Sequence, residues 1–377
     1  MASLHSVPQT LLLQCSLVGF GALALFRYAL NKSSVCNKFR LAGTIAIVTG
    51  GSRGVGRGVC LELGSAGATV FVVGRSRRGG PSNLPGQRVK NVPLGGTIDD
   101  TADDVTKLGG VGIPVGCDVA NDAEMRSVID LVRKKHGRLD ILVNSAILVR
   151  EDLRQKPPFW LQELELYDAY HVVGTRSTYI MSTLAVPLML QSPAGSSPLI
   201  VNISSPGSKQ YLFNIPYGVG KAGLDRIGKD MHIELRNEKT NIHVVTVHPG
   251  IVQTERMIFH RQSFKNMFSL DVTGGETVNF TGRAVCALAA NPTVAKKLSG
   301  TVQTCTQLAK KLHFTDVDGA VPGILRCILP VLKETISKKL LWFRKKEVSS
   351  ENSTGDVSGF WGASDEATGT EKGRLKN

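Results

Sequence analysis

Short apolar runs recur along the chain at Ile45 to Val48, Thr69 to Val73, Val111 to Val115, Leu139 to Val143, Leu199 to Ile203 and Ile242 to Val247. They are rich in Val and Ile, and each has the length of a strand buried on both faces. Between them apolar positions repeat with a helical period, for instance over Asp122 to His136 and Leu161 to Leu190. Such alternation predicts one α/β domain, a single doubly wound parallel sheet with helices on both faces. In that architecture ligands sit outside the carboxyl ends of the strands. The pattern divides the chain into an apolar segment (1–40), the α/β domain (41–320), a basic amphipathic extension (321–348) and a tail (349–377). Ser, Gly, Asp, Glu and Thr dominate the tail, so disorder is expected there.

The first run leads into Thr49-Gly50-Gly51-Ser52-Arg53-Gly54-Val55-Gly56. The glycines predict a tight turn opening a helix from about Gly54 to Gly64, whose N–H groups would face a pyrophosphate. The spacing is Thr-Gly-x-x-x-Gly-x-Gly, not the G-x-G-x-x-G form. An ordinary glycine turn is the plain alternative. Further on, Tyr217 and Lys221 are four residues apart, so on a helix they share one face. There an ammonium would favour phenolate and ease loss of the phenol proton. Ser204 and Ser205 lie just upstream.

Five motifs occur in order: the glycine turn, Cys117-Asp118-Val119, Val143-Asn144-Ser145-Ala146, Ser204-Ser205 with Tyr217-x-x-x-Lys221, and Pro249-Gly250-Ile251-Val252-Gln253-Thr254. From about Leu41 to about Gly319 the chain resembles the short-chain dehydrogenase/reductase family. The resemblance implies a Rossmann-type fold and a hydride transfer between a nicotinamide and a carbonyl or alcohol. Tyr217 would be the proton donor, and Lys221 would keep the phenol acidic and bind the nicotinamide ribose. Ser205 would hold the carbonyl oxygen. Ser204 is an alternative hydroxyl, and Ser205 is preferred because it opens the turn. By the same resemblance Gly50, Ser52, Arg53, Gly54, Val55 and Gly56 contact the phosphates. Asp118 and Val119 meet the adenine, and Asn144 braces the central strands beside the cofactor. Pro249, Gly250, Val252 and Thr254 would also be cofactor-binding residues by this resemblance. A cap or turn aspartate is the plainer role for Asp118.

The second run ends Phe71-Val72-Val73-Gly74-Arg75, with no acid where one would bind a ribose 2′-hydroxyl. Arg75 and Arg53 suit a 2′-phosphate instead, which favours NADP over NAD. Two positions depart from the family pattern. His171 stands where an asparagine usually helps a water relay protons to the lysine, and imidazole can also donate and accept. Ser145 replaces a second asparagine. Residues 76–96 are rich in Gly, Pro, Arg and Lys, and an irregular surface loop is expected.

Leu11 to Phe26 is apolar and uncharged, slightly short for a membrane span, with Arg27, Lys32, Lys38 and Arg40 after it. This predicts an endoplasmic-reticulum anchor with the domain facing the cytosol. A mitochondrial or plastid presequence is the alternative. The stretch Lys338 to Lys346 mixes bulky apolar and basic residues, as an interfacial segment does. The net charge of +14 comes with no nucleic-acid recognition motif. The seven cysteines show neither metal spacing nor a disulfide framework, so a reducing compartment fits and no metal site is expected. Family resemblance further implies a homo-oligomer. A narrower likeness, carried by Ile203 to Ser208, Pro216 to Lys221 and Pro249 to Glu255, implies steroids and other lipophilic ketones as substrates. Gly250 to Gly275, with Phe259, Phe264, Met267 and Phe268, would be the substrate lid. The alternative reading, supported by His171, is a nucleotide-binding scaffold or sensor with little turnover.

Overall fold

The computed structural model describes residues 39–80, 88–89, 92–149 and 157–351, without side chains at 88–93 and 338–351. The apolar segment at 11–26, the side chains of the basic stretch at 338–346 and the tail beyond 351 therefore lie outside the described parts. The chain parts into residues 1–331 and residues 332–377. No described helix is long and apolar enough to cross a membrane.

The first unit alternates strand and helix: β1 (Ile45–Thr49), α1 (Gly54–Ser65), β2 (Thr69–Gly74), β3 (Arg88–Val89), β4 (Val92–Pro93), α2 (Ile98–Lys107), β5 (Val111–Gly116), α3 (Asp122–His136) and β6 (Ile141–Asn144). Then come α4 (Glu165–Tyr170), a π-helical turn (His171–Arg176), α5 (Ser177–Met189), β7 (Leu199–Ile203), α6 (Ile215–Asn237) and β8 (His243–His248). The last elements are α7 (Glu255–Phe259), α8 (Arg261–Phe268), α9 (Val278–Ala289), α10 (Pro292–Leu298), β9 (Val302–Thr304), α11 (Cys305–Leu312) and α12 (Ile324–Glu351). Seven strands form one sheet in the order β5-β2-β1-β6-β7-β8-β9, and every pairing in it is parallel. The order reverses between β1 and β6, which opens a crevice above their carboxyl ends.

The run Ile45 to Val48 is apolar throughout because both sheet faces are covered. Successive side chains point to opposite faces. Ala46 and Val48 join one core with Leu63, Phe280 and Val285, while Ile45 and Ile47 join the other with Phe71, Leu142 and Met181. Cys60 and Cys117 are buried thiols in these cores.

The structure corrects three expectations. The segment 76–96 is not wholly irregular: Val89 pairs with Val92 and Arg88 with Pro93 in a short antiparallel hairpin. The helix expected over Leu161 to Leu190 is broken, since the chain makes a single 3-10 turn at Phe159–Leu161, restarts at Glu165 and widens into the π-helical turn. The widened turn lets Thr175 Oγ1 donate to the Gly220 carbonyl of α6 at 3.2 Å. The backbone of α12 stays helical to Glu351, past the point where disorder was expected. β9 is three residues of mixed polarity, too short to register as a strand in the sequence.

Two contacts fix the helices and loops that carry the site. α1 and α9 touch backbone to backbone. A methyl group on Gly58 would lie 2.2 Å from the Val278 carbonyl oxygen, and one on Gly282 would lie 2.5 Å from that of Gly58. Glu276 clamps the loop after β8. Its N–H donates to Ile251 at 2.8 Å, its carbonyl accepts from Gln253 at 2.8 Å, and its carboxylate accepts from Thr281 at 3.2 Å and from the Gly250 N–H. Burial pushes the Glu276 carboxyl up to about 8.

Gly58→Ala forces α1 off α9 and is expected to destabilise the fold by about 1–3 kcal/mol, as overpacking does. Urea unfolding measures this, with Gly323→Ala, in open space and without a positive φ, as the control. Between the usual carboxylate value of 4.5 and about 8 the folded state holds a proton on Glu276 that the unfolded state has released. Stability from this group is therefore lost as pH rises through that window. Glu276→Gln should leave Tm unchanged near pH 4.5 and raise it by roughly 5 °C at pH 8.5. Equal melting shifts at both pH values would show that Glu276 does not titrate there.

Candidate active site

The turn after β1 is set by glycines that need their conformations. Gly50 and Gly54 have φ of +71° and +55°. A methyl group on Gly50 would meet the Ala146 backbone at 2.9 Å, and one on Gly56 would meet the Gly50 carbonyl at 2.2 Å. Thr49 Oγ1 accepts from the N–H groups of Ser145 and Ala146 at 3.1 and 3.2 Å, which ties the turn to the end of β6. α1 has no side-chain N-cap and no acid in its first turn. Its Gly54 N–H donates instead to Glu255 Oε2 at 3.0 Å, so the turn already takes an anionic oxygen.

A cavity of about 590 Å³ runs from this turn across the strand ends. Ser52, Arg53, Gly54, Val55 and Gly56 line it, as do Arg75, Val119, Pro249, Gly250, Val252 and Thr254. Asp118 and Asn144 are not among its lining residues. Asp118 Oδ1 accepts from the Ala120 N–H at 3.0 Å and Oδ2 pairs with Arg75 at 3.5 Å. Asn144 is buried and donates to Ser182 at 3.1 Å and to Asn202 at 3.0 Å, bracing β6 against α5 and β7. Arg53 donates to Ser76 and to the carbonyls of Gly95 and Gly96 at 3.0–3.1 Å. Burial holds its guanidinium below the usual value, Glu255 opposes this, and the charge of Arg75 adds to it. The two cations are therefore close enough to repel.

At the other end, the start of α6 presents Tyr217. Asn214 caps this helix, accepting from the Tyr217 N–H at 2.8 Å. The Tyr217 ring is met edge-on by Tyr170 at 5.8 Å and by Phe213 at 5.1 Å. Phe213 has φ of +64°, a costly conformation for a bulky residue that turns its ring toward the phenol. Ser205 hydrogen-bonds the Tyr217 phenol, and its Oγ also accepts from Gly207 N–H at 3.1 Å. Ser204 points elsewhere, donating to the Lys221 carbonyl at 3.1 Å. Lys221 Nζ donates to the Ile203 carbonyl at 3.0 Å and lies 5.9 Å from the Tyr217 ring centroid.

The electrostatics differ from the sequence expectation of an acidified phenol. Burial pushes Tyr217 up to about 12, with the Ser205 hydrogen bond offsetting part of the rise. Burial also brings Lys221 down to about 8, with Asp225 opposing it. At neutral pH the pair is thus a protonated phenol beside an ammonium, with the proton in place on the phenol. His171 sits in the π-helical turn, its ring stacked on Tyr167 at 3.9 Å and facing α6 at Gly220. Burial lowers its pKa, with the Pro216 carbonyl opposing, and its buried Nε2 has no hydrogen-bond partner.

Past Tyr217 the cavity wall turns apolar, with Tyr170, Leu212, Phe213, Phe264, Phe268 and Leu270. Of the expected lid residues, Phe264 and Phe268 line the cavity, whereas Phe259 and Met267 face outward. The lid helices α7 and α8 are pinned by Arg261, which makes two bonds to buried Asp271 at 2.9 and 2.6 Å. Sequence reasoning missed Glu255, Glu276, Phe213 and Tyr170, none of which belongs to a spaced motif. Among the described residues no cluster of ligating side chains could hold a metal.

Comparison with known proteins agrees with this geometry. The family model "short chain dehydrogenase" matches residues 95–263. The chain is 38% identical over 291 residues to human "Dehydrogenase/reductase SDR family member 1", covering 74% of this chain and 84% of that protein. Its fold is that of a putative dehydrogenase from Xanthomonas campestris, with a TM-score of 0.62 at 20% identity over 77% and 97% of the two chains. A 7α-hydroxysteroid dehydrogenase solved with NADH and a 7-oxo bile acid gives 0.56 at 22% identity over 75% and 96%. With the fold, the motifs and this degree of identity in agreement, the chain belongs to the short-chain dehydrogenase/reductase family.

Proposed function

We propose that the protein is an NADP(H)-dependent carbonyl reductase or alcohol dehydrogenase acting on a lipophilic ketone or secondary alcohol. One observation carries this reading: Ser205, Tyr217 and Lys221 meet in one cavity that has an arginine pair at one end and aromatic walls at the other. The cofactor fits the residues present. The glycine turn leaves no room for a side chain at Gly56, and the Gly54 N–H already takes a carboxylate oxygen. Gly50, Gly54, Val55 and Gly56 would hold the pyrophosphate, Arg53, Arg75 and Ser76 a 2′-phosphate, and Pro249, Gly250, Val252 and Thr254 the nicotinamide side.

Bound nicotinamide would supply the hydride. Tyr217 then gives its proton to the carbonyl oxygen as negative charge builds there, and Ser205 donates a hydrogen bond to the same oxygen. Lys221 holds a positive charge behind the phenol, which stabilises the tyrosinate left after proton transfer. The aromatic walls exclude water from the reacting carbonyl and suit an apolar substrate. The likeness to a hydroxysteroid dehydrogenase fold and to "Hydroxysteroid dehydrogenase-like protein 2" of mouse, at 27% identity, favours a steroid-like ketone among such substrates.

NADPH oxidation with a panel of steroid and other lipophilic ketones tests the reading. Tyr217→Phe is expected to lower kcat by about 100- to 10,000-fold with NADPH binding retained. Tight NADPH binding with no oxidation by any ketone would favour a nucleotide sensor instead. Arg75→Asp should weaken NADPH by about 10- to 100-fold and leave NADH nearly unchanged, from loss of a charge-assisted bond. An unchanged NADPH/NADH preference in that variant would sink the cofactor assignment.

A further inference from the structure

Behind Lys221 lies a polar cluster that the reaction above does not use. Asp225 is one helical turn further along α6. Ser208 Oγ donates to its Oδ2 at 2.6 Å, and His248 Nε2 lies 2.9 and 3.1 Å from its two oxygens. A carboxylate only accepts, so the His248 proton sits on Nε2. Ser204 also reaches the Asp225 carboxylate, and its single proton is shared between that group and the Lys221 carbonyl. His248 ends β8 and immediately precedes Pro249 and Gly250 of the cofactor loop. Three elements therefore converge on one carboxylate: the turn after β7, α6 and the end of β8.

We propose that Asp225 is a positioning residue for the reaction, supplying through the Ser208 and His248 bonds the fixed negative charge that keeps the buried Lys221 amine protonated. This rests on the reading of Lys221 as the partner of Tyr217. The groups around the Lys221–Asp225 turn of α6, taken element by element, support it. From α6 come Tyr217 and Asp225. Around β7 come the Ile203 carbonyl, Ser204, Ser205 and Ser208. From β8 comes His248, and from the π-helical turn His171, which faces Gly220. Among the described residues Asp225 is the one carboxylate that acts on Lys221, whereas Arg226 beside it turns outward to Asp230. Full burial drives the lysine toward its neutral form, and the hydrogen bond to the Ile203 carbonyl and the opposite charge one turn along the helix resist that. Ser208 and His248 keep Asp225 ionised by satisfying both of its oxygens, so the charge is held in place.

The test is Asp225→Asn, which keeps the shape and one acceptor. Lysine labelled with 15N in the full chain reports the Lys221 amine, assigned with Lys221→Met. In Asp225→Asn its titration should move about one pH unit below that of the wild type, the effect of losing a nearby opposite charge. Ketone reduction at saturating NADPH should then fall about fivefold at pH 8 and stay within about 1.2-fold at pH 6, as expected for an amine whose midpoint moves from about 8 to about 7. Ser208→Ala, should Asp225→Asn fold poorly, is expected to move the titration the same way by a smaller amount. His248→Gln, which keeps an N–H donor, should titrate like the wild type. A Lys221 amine that titrates in Asp225→Asn as in the wild type overturns the proposal, whether or not any ketone turns over. A wild type that reduces no ketone overturns the enzyme reading alone, because the titration still decides the role of Asp225.

Discussion

An ammonium group taken out of water must be met by oxygen atoms, or it gives up its proton. Lys221 is in that position, and much of the surrounding structure follows from it. The Ile203 carbonyl at the end of β7 takes one of its protons, and the Asp225 carboxylate lies one turn along the same helix. β7 must therefore end where it does, and α6 must cross its end at this height. Ser204 fixes that crossing by bonding the Lys221 carbonyl. The same burial that makes the lysine costly also raises the phenol of Tyr217, so both groups keep their protons near neutral pH. Raised by burial, the phenol alone is a weaker acid than a free tyrosine, and the ammonium beside it is the group that favours release of its proton.

The cofactor end solves the opposite problem. Two guanidinium groups, Arg53 and Arg75, are held close enough to repel, and carboxylates and carbonyls offset that repulsion. Asp118 pairs with Arg75, while Glu255 lies near Arg53 and occupies the Gly54 N–H. A dianion such as a 2′-phosphate relieves the repulsion more fully than either carboxylate does. The loop that carries Glu255 is the loop that Glu276 clamps, so the carboxylate on the Gly54 N–H is positioned through the backbone from Gly250 to Glu276.

The sheet was legible in the sequence because its central strands are covered on both faces: the runs from Ile45 to Val247 are mainly apolar, interrupted at Asp140, Asn202, His243 and Thr246. The spaced motifs also placed Gly50, Gly56, Ser205, Tyr217 and Lys221, since turn geometry and helix period tie those residues to fixed offsets. What stayed hidden depends on contacts across the fold. Glu276 reads as one acid among many until its loop folds back on Gly250. The rise of the Tyr217 phenol comes first from burial, with Tyr170 adding to it, which no spacing encodes. The π-helical turn at His171 was hidden too, because its apolar pattern is continuous with that of α5.

That widened turn changes how His171 is understood. In a regular helix the residue at this position would be judged by its side chain alone. Here the turn is placed by Thr175, which bonds the Gly220 carbonyl, and by the closeness of Gly223 to Thr175. A methyl group on Gly223 would come within 3.0 Å of Thr175, so small residues on α6 are needed for the two helices to approach. The imidazole stacks on Tyr167 and keeps Nε2 buried beside the same stretch of α6 that carries Lys221. A buried ring nitrogen without a partner is costly unless a small polar molecule can reach it. The backbone contact between the turn and α6 therefore does the positioning, and the side chain at 171 sets only which polar group borders the helix. On this argument the placing of the turn against α6, and with it the Tyr217–Lys221 geometry, does not depend on the side chain at 171.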